Sequence, residues 1–306
     1  MPELSRIGER KIVEELINKF DGDGARMLGD DCAILDMGEH YILITTDMIT
    51  KKSHMPEGSK PNDIGWYAAA INLSDIAAMG GEPLGMLFAL GLPRDIDSEW
   101  LDALMTGIDE CARKYGAPIL GGDTKENSNS TISGVAVGRV EKSAILRRSG
   151  ARPGDILAMT GKLGRGIVWE RDVQDAAKLL HVEPRIREGR ILACSGTVTS
   201  CIDISDGLST CLHLMAKASG VGFNVYEEKI PMEPGLDLEE RDRALHWGGD
   251  FELLFTVKPE RMEDLKIDGI TVIGTVTGNR EITLSRNGKT EPLPDKGYEH
   301  FGRGTW

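Results

Sequence analysis

The sequence predicts an α/β protein of the α+β type, built as two domains that each carry a mixed sheet with flanking helices. Three observations lead there. The chain has 306 residues, enough for about two domains at ~100–200 residues each. Short β-branched and apolar runs alternate with helical patterns in both halves. A polar, basic stretch, EKSAILRRSGARPGD at 141–155, separates the halves and sets the domains at 1–140 and 141–306.

The opening MPELSRIGERKIVEELINKF reads as an amphipathic helix, with Ile12, Val13, Leu16, Ile17 and Phe20 at helical spacing. Charges throughout it exclude a signal peptide. DGDG at 21–24 lacks the spacing of a calcium loop and reads as a plain loop. YILITTDMI (41–49) is a strand. A helix follows over 62–80, with Asn62 as its cap after Pro61 and with Ile64, Ala68, Ile71, Asp75 and Ala78 on one packed face. A second helix spans 98–115. APILGGDT (117–124) is a strand entering a glycine turn, and ISGVAVGRV (132–140) is another strand. In the second half, DILAMTG (155–161) is strand and turn, a helical stretch lies near 165–180, and CIDISDG (201–207) is again strand and turn. LSTCLHLMAKASG is a helix closed by Gly220. GFNVYEEKIP, GGDFELLFTVKP and ITVIGTVTG supply the closing strands.

Composition narrows the function. Hydrophobic content of 40% and charged content of 28% are ordinary and exclude a disordered chain. A net charge of −13, from 49 acids against 36 bases, opposes nucleic-acid binding, which needs clustered Lys and Arg. No run of ~18 apolar residues spans a membrane. Five cysteines with no C-x-x-C suit a reducing cytoplasm rather than a disulfide framework or a zinc ribbon. The P-loop, the dinucleotide fingerprint and the kinase H-R-D loop are all missing. TGKLGRG (160–166) is a lone glycine cluster and reads as a turn.

The acids carry the chemistry. Asp30 and Asp31 in GDDCAIL, Asp47 in ITTDM, Asp75 in NLSDIAAMGG, Asp123 in GGDT, Asp203 and Asp206 in DISDG, and Asp250 in GGDF all end apolar runs beside Gly, Ser or Thr. Any one of them is most simply a turn or a cap. The set resists that reading, because Asp75 falls on a packed helix face and Asp203 inside an apolar strand. Burying an ionised carboxylate without a partner costs several kcal/mol. Many hard oxygen ligands without a His or Cys pair select Mg²⁺, Mn²⁺ or Ca²⁺ over zinc. Magnesium prefers one or two carboxylates plus substrate phosphates, so a phosphorylated ligand is implied. Lys125, Arg147, Arg148 and Arg152 would grip phosphate oxygens, although a basic run taken by itself is more readily a solvated linker.

GDDCAIL, ITTDMIT, NLSDIAAMGG, GGDT, RRSGARPGD, IDISDGLS, GGDFELLFT and the terminal KGYEHF together resemble the thiamine-monophosphate kinase family, in that order and over nearly the whole length. The family belongs to a group typified by aminoimidazole ribonucleotide synthetase. The resemblance implies two α/β domains and a cytoplasmic homodimer whose N-terminal domains close a barrel. It implies ATP-dependent phosphorylation of thiamine monophosphate, with several Mg²⁺ ions and no residue acting as nucleophile or general base. Carried over by motif, Asp31, Thr45, Thr46, Asp47, Asp75, Asp123, Asp203 and Asp206 would ligate the metal. Gly122, Asp123, Arg148 and Ser205 would hold ATP, and His54 and Tyr298 would contact the thiamine phosphate. One departure stands out. The family's GGEDYEL carries a glutamate where this chain has Gly249, and Asp250 is the candidate to replace it. Two alternatives remain beside this reading: a related ATP-dependent enzyme with another acceptor, and a non-catalytic Mg-nucleotide sensor.

Overall fold

The computed structural model describes residues 4–20, 29–171 and 176–301; the DGDG loop lies outside them. The first half comprises α1 (Glu9–Phe20), β1 (Ala33–Asp36), β2 (His40–Thr50), α2 (Lys51–His54), α3 (Pro61–Ala78), β3 (Glu82–Leu92), α4 (Ser98–Lys114), β4 (Ile119–Glu126) and β5 (Thr131–Glu141). The second comprises β6 (Ile156–Thr160), α5 (Arg165–Arg171), α6 (Ala177–Leu180), α7 (Ile186–Ser195), β7 (Val198–Asp203), α8 (Leu208–Ser219), β8 (Gly222–Tyr226), α9 (Leu238–Ala244), β9 (Leu253–Val257), β10 (Ile270–Thr277), β11 (Ile282–Arg286) and β12 (Lys289–Pro292). Two sheets result, in the orders β1-β2-β5-β3-β4 and β12-β11-β8-β10-β6-β9-β7. Each is mixed: β3 and β4 run parallel in the first, β8 and β11 in the second, among antiparallel neighbours. The α/β class with two mixed sheets and flanking helices is the one the sequence predicts.

The pleat of β2 sorts its side chains. Thr45, paired with Ala136, and Ile49, paired with Ile132, are buried under the helices. Thr46 and Met48 turn to the opposite, open face, and Asp47 lies on the helix side with Thr45.

The helix α3 is buried on nearly every side, its few polar residues included, so it is a central core helix rather than an amphipathic surface one. Asn62 does not cap it. Pro61, with its φ already helical, takes the first position, and Lys60 becomes the extended residue before it. The Asn62 amide instead donates to Glu110 Oε2 at 3.1 Å. Two glycines bring α3 against α4: a Cβ on Gly65 would lie 2.0 Å from Leu104 O, and one on Gly107 would lie 1.9 Å from Asn62 O. The other end of α3 reaches the second half, where Ala77 and Ala78 join Leu192, Cys201, Leu253 and Phe255 in one buried cluster. Each large apolar side chain buried there contributes about 1.5–3 kcal/mol, so the same helix holds both halves.

The helix α1 rests on the second half rather than on the sheet that follows it in sequence. Arg10 pairs with Asp295 at 2.8 Å, and Glu14 with Lys217 at 2.7 Å. Among the described residues no helix is long and apolar enough to cross a membrane.

Candidate active site

A cavity of about 810 Å³ opens where α3, β2, the turn after β7 and the two chain ends meet. Asp31, Thr45, Thr46, Asp47, His54, Asp75, Arg148, Asp203, Ser205, Asp206 and Tyr298 all line it. Residues far apart in sequence are thus gathered around one cavity. Gly122 and Asp123 are not among the lining residues.

At its floor, oxygens of Asp31, Asp75 and Asp203 lie within 4.8 Å of one another. Each comes from a different element: the turn before β1, the packed face of α3 and the last residue of β7. Neighbouring hydroxyls and one guanidinium orient them. Thr45 Oγ1 donates to Asp75 Oδ2, and Ser74 Oγ donates to Asp203 Oδ2 at 2.6 Å. Arg148 donates to Asp31 Oδ1 through Nη2 at 2.6 Å and Nε at 3.1 Å. Asp30 steadies that arginine loop, accepting from Arg148 N at 2.8 Å and from Arg147 Nη1 at 3.1 Å. Asp31 Oδ2 is buried and accepts no hydrogen bond among the described residues.

One guanidinium against three carboxylates leaves the floor with an excess of negative charge. Burial pushes all of them toward the protonated form, and their neighbours add to it. Asp203 is raised to about 8 by burial and by Asp31, and Asp75 well above its ordinary value by burial, Asp47 and Asp203. Asp31 is also raised, by burial, with Arg148 opposing. In the same cavity Asp47 is raised to about 6 by burial and by Asp206, and Asp206 to about 6 by burial and by Glu9. Crowded carboxylates, an unpaired buried oxygen and hydroxyls turned toward them form a donor set that fits a hard divalent cation. The Thr46 side chain does not point with this set: the strand alternation sends it to the open sheet face, where Oγ1 donates to Gly134 O at 2.8 Å.

Further lining comes from the two ends of the chain and from His54. Tyr298 and His300 make an edge-on pair with centroids 4.8 Å apart, and His300 lies 5.5 Å from His54. His54 Nδ1 faces Ser53 Oγ at 2.7 Å, and burial, with His300 adding to it, lowers its pKa to about 4. The ring is therefore neutral at physiological pH. Glu9 and His300 belong to the lining and were not singled out in the sequence; their link is a bond from His300 N to Glu9 Oε2 at 2.9 Å. Nothing local in the sequence signals a contact between two chain ends.

The GGDF turn is structural. Gly249 lines the cavity at φ +92°, a region that favours glycine. Asp250 does not replace the missing glutamate. It is buried beneath the turn, and its Oδ1 accepts from Gly164 N and Arg165 N, both at 3.0 Å. Glu252 is likewise committed, to Arg185 Nε at 2.6 Å and Thr160 Oγ1 at 2.6 Å.

Asp123 lies elsewhere. It sits on the edge strand β4, in register with Ala89, Ser133 and Met48 across the sheet. Three strand spacings separate β4 from β2, about 14 Å, and Asp123 shares the open face with Met48. Its side chain is 63% exposed and meets Lys125 at 3.4 Å.

A family model described as AIR synthase related protein, N-terminal domain, matches residues 29–140, and its C-terminal counterpart matches residues 152–287. The thiamine-monophosphate kinase of Pyrococcus horikoshii is 35% identical over 99% of this chain and 99% of its own length. That of Methanospirillum hungatei is 39% identical over 90% of this chain and 94% of its own. Among solved structures, AaThiL complexed with AMPPCP and TMP superposes with a TM-score of 0.86 at 26% identity, covering 98% of this chain and 99% of the other.

Proposed function

The chain belongs to the thiamine-monophosphate kinases of the AIR synthase related proteins, and on that premise we propose that it transfers the terminal phosphoryl group of ATP to thiamine monophosphate, forming thiamine diphosphate and ADP. The observation that carries this reading is the convergence of Asp31, Asp75 and Asp203 within 4.8 Å, in a cavity also lined by His54 and Tyr298.

The acceptor is a phosphate monoester with a second pKa of about 6, so it is mostly dianionic at neutral pH. No general base is needed. The obstacle is repulsion between two anions that must approach in line. Several Mg²⁺ ions, held by Asp31, Asp47, Asp75, Asp203 and Asp206 with Thr45 beside them, would supply the positive charge that offsets it. Arg148 adds a fixed charge in the same cavity, and Ser205 presents a polar group between the two aspartates of the DISDG turn. The aspartates hold and orient; transfer is direct, without a phosphoenzyme, and proceeds with inversion at phosphorus.

Gly122 and Asp123 enter this reading through a second copy of the chain. Their exposed edge strand, and the open face carrying Met48 at 57% and Leu87 at 37% exposure, are what a homodimer of N-terminal domains would cover. The domains divide between Glu141 and Ile156, with α1 docked on the second.

ADP release measured in parallel with thiamine monophosphate, thiamine and formylglycinamidine ribonucleotide tests the acceptor. Turnover that depends on thiamine monophosphate alone is expected. Equal turnover with another acceptor, or none with any, rejects the assignment.

A further inference from the structure

We propose that Glu9 is the specificity-determining residue for the acceptor's positive charge, its carboxylate and the rings of Tyr298, His300 and His54 together forming the seat of the quaternary nitrogen ring. This rests on the kinase reading above, and it concerns a residue outside every aspartate motif.

Glu9 is the only acid lining the cavity, among the described residues, that is not an aspartate of the set. It is held from both sides by a clasp between the chain ends. Glu9 N donates to His300 O at 3.2 Å, while His300 N donates to Glu9 Oε2 at 2.9 Å. Arg10 N reaches Glu299 Oε1 at 3.0 Å, and Arg10 Nη2 reaches Tyr298 O at 3.0 Å. The second oxygen, Oε1, accepts no hydrogen bond among the described residues. The carboxylate is thus fixed, with one oxygen left to offer.

What surrounds it selects the ligand. Tyr298 and His300 lie 4.8 Å apart and His300 and His54 5.5 Å apart, so three ring systems line this part of the cavity. A magnesium ion wants compact, convergent oxygens, and Glu9 belongs to no such group among the described residues. A flat organic cation with spread charge is suited to ring faces and one carboxylate. The basic residues of the lining, Lys52 and Arg148, suit the phosphate end of the same molecule. The cavity therefore sorts its acceptor by charge at both ends, and a phosphate monoester lacking the cation would lose the Glu9 contact.

The test compares thiamine monophosphate with its neutral isostere, in which a thiophene replaces the thiazolium. Affinities are taken by calorimetry with a non-hydrolysable ATP analogue present, so that they do not depend on turnover. Glu9→Gln keeps an acceptor for His300 N and removes only the charge. It is expected to weaken the charged ligand roughly 10-fold relative to the neutral one, both measured against the same ATP-analogue complex. Equal weakening of both acceptor ligands, or of neither, overturns the proposal, the first result reducing Glu9 to a part of the clasp. If Glu9→Gln fails to fold, the wild-type protein decides: it should bind the charged ligand roughly 10-fold tighter than the neutral one, and equal affinity overturns the claim. Absent turnover with thiamine monophosphate would strike the kinase reading instead, and leaves these ratios measurable.

Discussion

Asp206 shows what a single carboxylate does in this cavity. Burial and the charge of Glu9 raise it to about 6 in the folded chain, against about 4 when unfolded. The folded state then holds the proton more tightly. Its contribution to stability is complete below pH ~4 and is lost as pH rises through 6. Asp206→Asn should therefore match the wild type near pH 4 and exceed it above pH 7, by on the order of 2 kcal/mol without metal. Melting curves in EDTA at several pH values check this; a variant less stable at pH 8 contradicts it. Mg²⁺ should reverse the wild-type trend, raising the melting temperature more at pH 8 than at pH 5.5, because binding competes with protons at Asp47, Asp203 and Asp206. The same substitution, and Asp75→Asn, should lower turnover by about 100-fold or more, read by ADP release. Asp75 and Asp203 were legible in the sequence because one falls on a packed helix face and the other inside an apolar strand, and Asp206 became legible only as a member of that set. Glu9 was not, since its partner His300 is 291 residues away and a glutamate at the start of a helix looks ordinary.

At the scale of elements, α3 positions the site, because Asp75 and Ser74 sit on it and both halves pack against it. Its depth depends on the glycine crossing with α4. At Gly65 the obstacle to a Cβ is the backbone carbonyl of Leu104, which no rotamer change can move. Gly65→Ala should destabilise by about 1–3 kcal/mol, and because it pushes α3 bodily it should lower activity as well. Urea unfolding and ADP release on the same preparation check both; an unchanged midpoint contradicts the crossing. Helical spacing made α3 readable apart from its start, where Pro61 takes the first helical position and moves the cap two residues back, from Asn62 to Lys60. The strand β3 went unread. Its run EPLGMLFALGL has glycines and near-continuous apolar residues, so the period of two is blurred. The helix α7 was missed for a different reason: its role is to pack Gly189 against Ala77 O, where a Cβ would lie 2.2 Å away, and that pairing exists only in three dimensions.

The whole molecule raises the question of Asp123. Motif resemblance groups it with the other aspartates, yet strand order puts it about three spacings from β2, roughly 14 Å, and on the other face. A register shift cannot remove that distance. If Asp123 acts on the same ligands, it must act on those of a neighbouring chain, across an interface formed by the open sheet face and the β4 edge. Isologous pairing then makes two equivalent sites, each with Asp123 from one chain and Asp206 from the other. Asp123→Asn and Asp206→Asn should each be nearly inactive alone. Mixed in equal amounts, unfolded and refolded together, half of the dimers carry one variant of each kind. In such a dimer one site has lost both carboxylates and the other has lost neither, so about a quarter of wild-type activity should return. Sedimentation should report dimers for both variants, because neither substitution removes apolar surface. A mixture as inactive as its components, with dimers confirmed, would confine each site to one chain and leave Asp123 a surface residue paired with Lys125.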